Sequence, residues 1–253
     1  MASSTTREAL TRFLDEQLNP DAFRDYCPNG LQVEGRNDIR RLVCGVTANQ
    51  ALLDLAVEQQ ADAILVHHGW FWRGESGVVT GIKRQRLKTL LANDITLYAY
   101  HLPLDAHPVL GNNAGLAKAA GWRQTGVFGE QGLGCIGDAP PGTTVESLAE
   151  GLTSVLGRAP FVPAGAGVQP IRRIAWCTGA AQGYFEAAIA EGVDAFVTGE
   201  VSEPMVHLAR ETGVVYVAAG HHATERFGVQ ALGDAVAARF GIEVRYQDVD
   251  SPV

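Results

Sequence analysis

The sequence predicts an α/β fold of two related βαβ-type lobes with mainly parallel sheets. Three observations predict it. Apolar runs of strand length alternate with helical patterns of about 10–15 residues, the signature of βαβ units. The segment Ile39 to His68 aligns without a gap onto Ile171 to Glu200 at an offset of 132, with eight of thirty positions identical. Apolar residues make up 46% of the 253 and charged residues 19%, with no block of like charge, which suits a chain that buries a sizeable core.

The elements follow in order. MASSTTREALTRFLDEQLNP has apolar residues at helical spacing and acidic residues among them, so it reads as an amphipathic helix rather than a secretion signal. RRLVCGVTA is then a strand, QALLDLAVEQQ a helix and ADAILVHHG a strand; QRLKTLLAND is a helix and ITLYAYHLP a strand. The order returns in RRIAWCTGA, GYFEAAIAEG, DAFVTGE, EPMVHLARET and VVYVAAGHH. The eight identities include the Ile-Arg-Arg opening and the Asp-Ala pairs at 62–63 and 194–195. At a shortened offset of 120, His101 to Asp105 falls on His221 to Glu225, and both read H-x-x-x-carboxylate after an apolar strand. A shared order of elements over this length favours internal duplication. The expected division is a first lobe over 1–128, with 223–253 packed on it, and a second over 129–222.

Composition excludes several partners. A net charge of −8 and a pI near 5.3 argue against nucleic acid or an anionic membrane surface. The one basic run, Lys83 to Lys88, reads as the solvated face of a helix. No apolar stretch reaches the ~20 residues that span a bilayer. Cys27, Cys44, Cys135 and Cys177 form no CxxC pair, and the expectation is a cytoplasmic chain with reduced thiols.

One stretch carries chemistry. In ADAILVHHGW a strand-forming run stops at His67 and His68, which a buried strand has no use for. Successive strand residues point to opposite faces, so the pair serves one site only where the strand ends and turns, which Gly69 allows, or where two ions each take one imidazole. In open α/β sheets ligands gather at the carboxyl ends of strands. His67, His68, His101, Asp105, His221 and Glu225 all fall there. Imidazole with carboxylate suits zinc, iron, manganese or nickel, and the lack of cysteine argues against structural zinc. Two divalent ions bring +4 against −3 from Asp105, Glu225 and a bridging hydroxide, leaving a mildly cationic site. Five ligands on one ion would saturate it, so two ions are the better reading, in a site between the lobes.

Other residues keep two readings. His107 and His222 either orient ligands or belong to loops. Trp70, Phe71 and Trp72 either wall a pocket, where they could stack on a planar ring, or are core or subunit-contact residues, with contact or wall preferred over stacking on substrate. Glu200 has a rim role or is a plain exposed carboxylate, Asn29-Gly30 reads as a turn, and His207 as an ordinary helix histidine.

NPDAFRDYCPNGLQVEG, ILVHHGWFW, YAYHLPLDAHPVLGNN, DAFVTGE and AGHHATERFG together resemble the signature segments of the dinuclear-metal-centre hexameric protein family. Its members are often labelled type 2 GTP cyclohydrolase I homologues and are NGG-interacting-factor-like. The resemblance runs from about residue 10 to the C-terminus. It implies that His67, His68, Asp105, His221 and Glu225 hold the ions, with Glu225 as the bridge. It also implies a homohexamer, a trimer of dimers enclosing a cavity that admits small substrates. The chain departs from the family in two ways. It has no room for the domain inserted in longer relatives, and GLGCIGD carries Cys135 where Arg is frequent, which counts against an anion contact there; the glycine-rich turn reads as a lobe-to-lobe linker in preference to a loop that meets a ligand phosphate through its backbone.

The function expected is a metal-dependent hydrolase whose metal-bridging hydroxide attacks a small, nucleotide-like substrate. His101 serves as its general acid or base, and two divalent ions per chain (zinc, iron or manganese) are its cofactors. The alternative is a non-catalytic metal-binding, chaperone or regulatory scaffold protein. Two ions per chain without turnover on a broad panel would select the second.

Overall fold

The two Asp-Ala pairs do the same work in two places. Asp62 Oδ2 accepts the N–H groups of Arg40 (2.8 Å) and Arg41 (2.9 Å), and Asp194 Oδ2 accepts those of Arg172 and Arg173, each at 2.8 Å. The backbone repeats as well. Asp62 N donates to Arg41 O and Thr96 N to Asp62 O, while Asp194 N donates to Arg173 O and Val215 N to Asp194 O. A carboxylate that ties the start of one strand to the turn before the next explains why these identities recur.

The structure, a computed structural model, describes residues 3–165 and 170–253. Its contacts divide the chain into two units: residues up to Leu104 with Gly228–Asp250, and Asp105–Phe227 with Ser251–Val253. The expected boundary at 128/129 therefore moves to 104/105, and 223–227 belongs with the second unit. The cause is strand pairing, since Arg123–Phe128 lies antiparallel to Gly134–Asp138 inside the second unit. The linker expected at Gly132 to Asp138 is accordingly a strand, with Cys135 opposite Trp176.

In the first unit the sheet order is Glu243–Tyr246, Arg41–Thr47, Ala63–His68, Thr96–Ala99 and Gly30–Val33. The first four strands are parallel and the last is antiparallel. In the second unit Val215–Ala218, Ala195–Thr198 and Arg173–Trp176 run parallel, and Gly134–Asp138 and Arg123–Phe128 complete the sheet antiparallel. The expected α/β class, with two sheet-containing units and mainly parallel strands, is what the structure shows.

Register makes the repeat concrete. Leu42 faces Ala63 and Ile174 faces Ala195, each 132 apart. The third strands pair as Ala63 with Thr96 and Ala195 with Val215, which is an offset of 119. Helices Leu102–Ala106 and His221–Thr224 begin at the same offset. The expected equivalence of His101 with His221 is therefore wrong by one residue. His101 corresponds to Gly220, whose φ of +102° is open to glycine and strained for other residues.

Each unit has its own core. Leu52, Leu53 and Ala56 of helix Gln50–Glu58 pack with Ile64, Val66, Leu97 and the indole of Trp70. Leu148, Leu152 and Leu156 of helix Val145–Leu156, spaced at helical period, pack with Ile174, Trp176, Val197 and Val217. No helix among the described residues is long and apolar enough to cross a membrane. The four cysteines are free and buried.

Candidate metal centre

In the first unit the strand Ala63–His68 carries both histidines to its end, where His68 pairs with Thr47 as the last residue of the ladder. Their rings lie 4.5 Å apart, with His101 at 5.1 Å from His67 and 5.7 Å from His68. A ligand atom from each of the three falls within 4.8 Å of the others, close enough to share an ion. The glycine that follows is there for space and not for a left-handed turn. A Cβ on Gly69 would lie 2.2 Å from Gln32 Oε1 and 2.4 Å from Ala99 Cβ, and Gln32 Oε1 accepts Trp70 N–H at 2.7 Å.

His67 is fully buried, and its Nδ1–H donates to the carbonyl of Tyr100 at 2.9 Å. A carbonyl can only accept, so the neutral ring is held in the tautomer with its lone pair on Nε2, the form a metal takes. His68 Nδ1 lies 3.1 Å from the Thr47 hydroxyl. His101 Nδ1 is 2.7 Å from Asp25 Oδ1, and its backbone N–H donates to Asn29 Oδ1 at 2.7 Å. Asp25 also accepts from Tyr26 N, Asn29 Nδ2 and Leu102 N. Burial raises its pKa, but the hydrogen bond and charge of His101, with the Asn29 and Tyr26 donors, hold it at about 2. Asp25 is thus a carboxylate at neutral pH, and Nδ1–H of His101 is the donor between them.

In the second unit Asp105 is buried at the end of the short helix Leu102–Ala106. Its Oδ1 accepts Asn112 Nδ2 at 2.8 Å and the Thr178 hydroxyl at 3.3 Å. His221 Nδ1 is 2.7 Å from Glu200 Oε1, and its Nε2 is 3.1 Å from Glu225 Oε2. Burial lowers the His221 pKa, but Glu225 and then Glu200 overcome this and lift it to about 9. At 3.1 Å from each other, His221 Nε2 and Glu225 Oε2 are close enough that both would hold the same divalent ion. Glycine is also required at 179, where φ is +71° and a Cβ would sit 2.0 Å from Glu225 Oε1. Burial first, and then the field of Asp105, pushes the Cys135 thiol up to about 12. Cysteine therefore stays neutral here, as the ligand reading requires.

The remaining residues sort by what they touch. Asp25 was missed in the sequence; the only signal was its place in the NPDAFRDYCPNG segment. Asn29, read as a turn, anchors both Asp25 and His101. Glu200 is the hydrogen-bond partner of His221. Trp70 is core, its indole N–H donating to Ala48 O at 2.8 Å. Trp72 stands edge-on to the His101 ring at 5.0 Å and 85°. His107 Nδ1 accepts the N–H groups of Val109 and Leu110, closing its own loop. His207 is exposed and lies 3.8 Å from Glu203, four residues earlier.

These donors fit divalent ions: the His67 ring is held with Nε2 as its acceptor, Glu200 holds Nδ1–H of His221, and the buried Asp105 carboxylate is fixed by hydrogen bonds. The whole chain is similar to known proteins. Residues 5–252 match the family described as Duf34/NIF3 (NGG1p interacting factor 3). A Pseudomonas aeruginosa protein named GTP cyclohydrolase 1 type 2 homolog is 54% identical over 256 residues, 100% of this chain and 99% of that one. A solved structure described as protein ybgI, of unknown function, superposes with a TM-score of 0.95 at 48% identity, covering 98% of this chain and 100% of that one. A crystal structure of a Thermus thermophilus protein gives 0.89 at 34% identity, with coverage of 98% and 100%.

Proposed function

The chain belongs to the Duf34/NIF3 family, and we propose that it is a metal-dependent hydrolase acting on a small, nucleotide-like substrate. In this reading His67, His68, Asp105, His221 and Glu225 hold two divalent ions. The observation that carries it is the commitment of the Nδ1–H groups. His67 gives its own to Tyr100 O and presents Nε2, and His221 gives its own to Glu200 and would present Nε2 on losing the proton it shares with Glu225. A hydrogen bond on Nδ1 that orients the ring and leaves Nε2 toward the ion is the usual support of a metal-bound histidine. The naming of relatives as GTP cyclohydrolase 1 type 2 homologs supports the nucleotide-like substrate.

Divalent ions held there would supply Lewis acidity, drawing the pKa of water toward neutrality and offsetting negative charge that develops on a substrate oxygen. The protein's own part is proton handling and positioning. Asp25 fixes the His101 ring by its Nδ1–H, so Nε2 is the atom that takes a proton or returns it. Trp72 packs at right angles to that ring and covers part of its surface. Asn112 and Thr178 fix the Asp105 carboxylate so that it need not reorganise.

The test is elemental analysis of the purified protein, followed by a panel of nucleotides, amidines, amides and phosphoesters. Activity that needs metal and falls at least about a hundredfold in His101→Gln, with metal content unchanged, supports the reading. Two bound ions with no turnover on the panel would select the non-catalytic, metal-binding alternative.

A further inference from the structure

The run Lys83 to Lys88 does not behave only as a solvated face. A cavity of about 580 Å³ in the first unit is lined by Ser76, Thr80, Lys83, Arg86 and, on its inner side, Trp70. Arg86 is half-buried, and its side chain makes no hydrogen bond or ion pair among the described residues. A guanidinium that lines a cavity with no carboxylate paired to it leaves its outer N–H groups for an acceptor from outside the chain. Lys83 is held at the same cavity with one of its three donors used. Its Nζ donates to Ser76 O at 2.9 Å and lies 5.2 Å from the centre of the Phe71 ring.

A third contribution is independent of the two cations. Helix Gly81–Asn93 starts at this cavity, and the side chain of its N-cap residue, Thr80, caps no backbone N–H. The N–H groups of Gly81, Ile82 and Lys83 have no partner within the helix by geometry, and they carry the positive end of its dipole. One group opposes: Glu75 also lines the cavity, 3.9 Å from Lys83 Nζ.

From this arrangement we propose that the cavity binds the phosphate group of a phosphorylated small metabolite. The guanidinium offers a planar fork, the ammonium a point charge, and the hydroxyls and helix N–H groups further donors from other directions. Such a set suits a tetrahedral anion with several oxygens better than a flat carboxylate. The volume exceeds what a phosphate fills, and Trp70, Val78 and Ile82 give the rest of the ligand an apolar wall. The site does not depend on the metal reading, because none of the five metal-ligand residues lines it.

Titration calorimetry of the full chain with inorganic phosphate, and then with ribose 5-phosphate, tests this at low ionic strength. Arg86→Gln should weaken phosphate binding about tenfold and Lys83→Gln several-fold, as loss of a charge-assisted contact requires. Glu75→Gln should tighten it. Arg84→Gln, on the same helix but outside the lining, should stay within about twofold, as a distant screened charge does. His68→Ala should also leave it unchanged, which separates this cavity from any anion bound at the metals. Ribose 5-phosphate should bind more tightly than phosphate alone. Were Arg86→Gln to fail to fold, the gain in Glu75→Gln and the loss in Lys83→Gln still decide the matter. No binding by the wild type at millimolar phosphate overturns the proposal, as does equal loss in Arg84→Gln. A change in particle mass instead of affinity in Lys83→Gln would also overturn it, marking this face as a contact between copies.

Discussion

Replacing Asp25 by Asn is the sharpest test of how His101 is held. Asp25 accepts four hydrogen bonds: His101 Nδ1 (2.7 Å) and Tyr26 N (2.6 Å) on Oδ1, Asn29 Nδ2 (2.9 Å) and Leu102 N (2.9 Å) on Oδ2. An amide in its place turns one oxygen into an NH2 group, and whichever way it is placed that NH2 meets two donors. The pKa shift gives a second measure of the loss. A carboxylate held at about 2 instead of 3.8 is worth about 2.4 kcal/mol at ~1.36 kcal/mol per unit. The sign follows from the depressed value. The contribution is fully present above pH ~3.8 and is lost as pH falls through about 2. Urea unfolding followed by tryptophan fluorescence should show Asp25→Asn about 2–3 kcal/mol less stable at pH 7, with the gap closing between pH 4 and 2. Metal content should stay at the wild-type level, because Asp25 orients a proton carrier and is not in the ligand set. A loss below about 1 kcal/mol at pH 7, or a gap independent of pH, would refute the reasoning.

Three further outcomes are expected. His68→Ala and Glu225→Ala should each lower bound metal sharply, while His207→Ala, exposed beside Glu203, leaves it unchanged; two ions retained in Glu225→Ala would end the dinuclear assignment. Metal binding should release a proton from His221, so affinity should climb about tenfold per pH unit below its pKa of about 9 and level off above it; a flat profile between pH 6 and 8, read by competition with a chelator, counts against His221 as a ligand. Light scattering should give roughly six times the 26.9 kDa chain mass for the proposed hexamer. Trp72→Asp tests that contact, since Trp70→Asp would place a charge in the core and destabilise the fold instead.

How far these features were legible depends on the kind of constraint behind them. His67 and His68 stood out because two imidazoles end an apolar run, a contrast of polarity that one sequence displays by itself. Asp25 did not, because one carboxylate in a polar loop looks the same whether it faces solvent or His101; only the fold supplies the partner, 76 residues on. Trp70 and Trp72 were indistinguishable for a similar reason. They lie two apart, and the chain between them takes a left-handed turn at Phe71, with φ of 66°, that no periodicity foretells. The helix Gly81–Asn93 was legible as a helix, but its face was not, since Lys83 and Arg86 turn toward a cavity built by the loop before it. The βαβ order was legible because it is written in local hydrophobic patterns. The unit boundary was not, because the antiparallel pairing of Arg123–Phe128 with Gly134–Asp138 has no local mark.

The one-residue slip in the repeat says most about how the site arose. Over the first two strands the units match at 132, and position by position His67 and His68 correspond to Gly199 and Glu200. In the second unit these positions no longer carry imidazoles. A side chain at Gly199 would put its Cβ 2.6 Å from His221 Cα, so glycine clears the way for that residue. Glu200 takes the Nδ1–H of His221 at 2.7 Å. Gly220, with its left-handed backbone, stands where the first unit has His101, and His221 takes the position that Leu102 holds there. The same strand end thus presents two imidazoles in one copy, and in the other it makes room for a histidine from the next strand and orients it. A duplicated βαβ frame needs only this to build two unlike ligand sets. The backbone hydrogen bonds centred on Asp62 and Asp194 stay fixed, and the residues just past the strands are free to diverge.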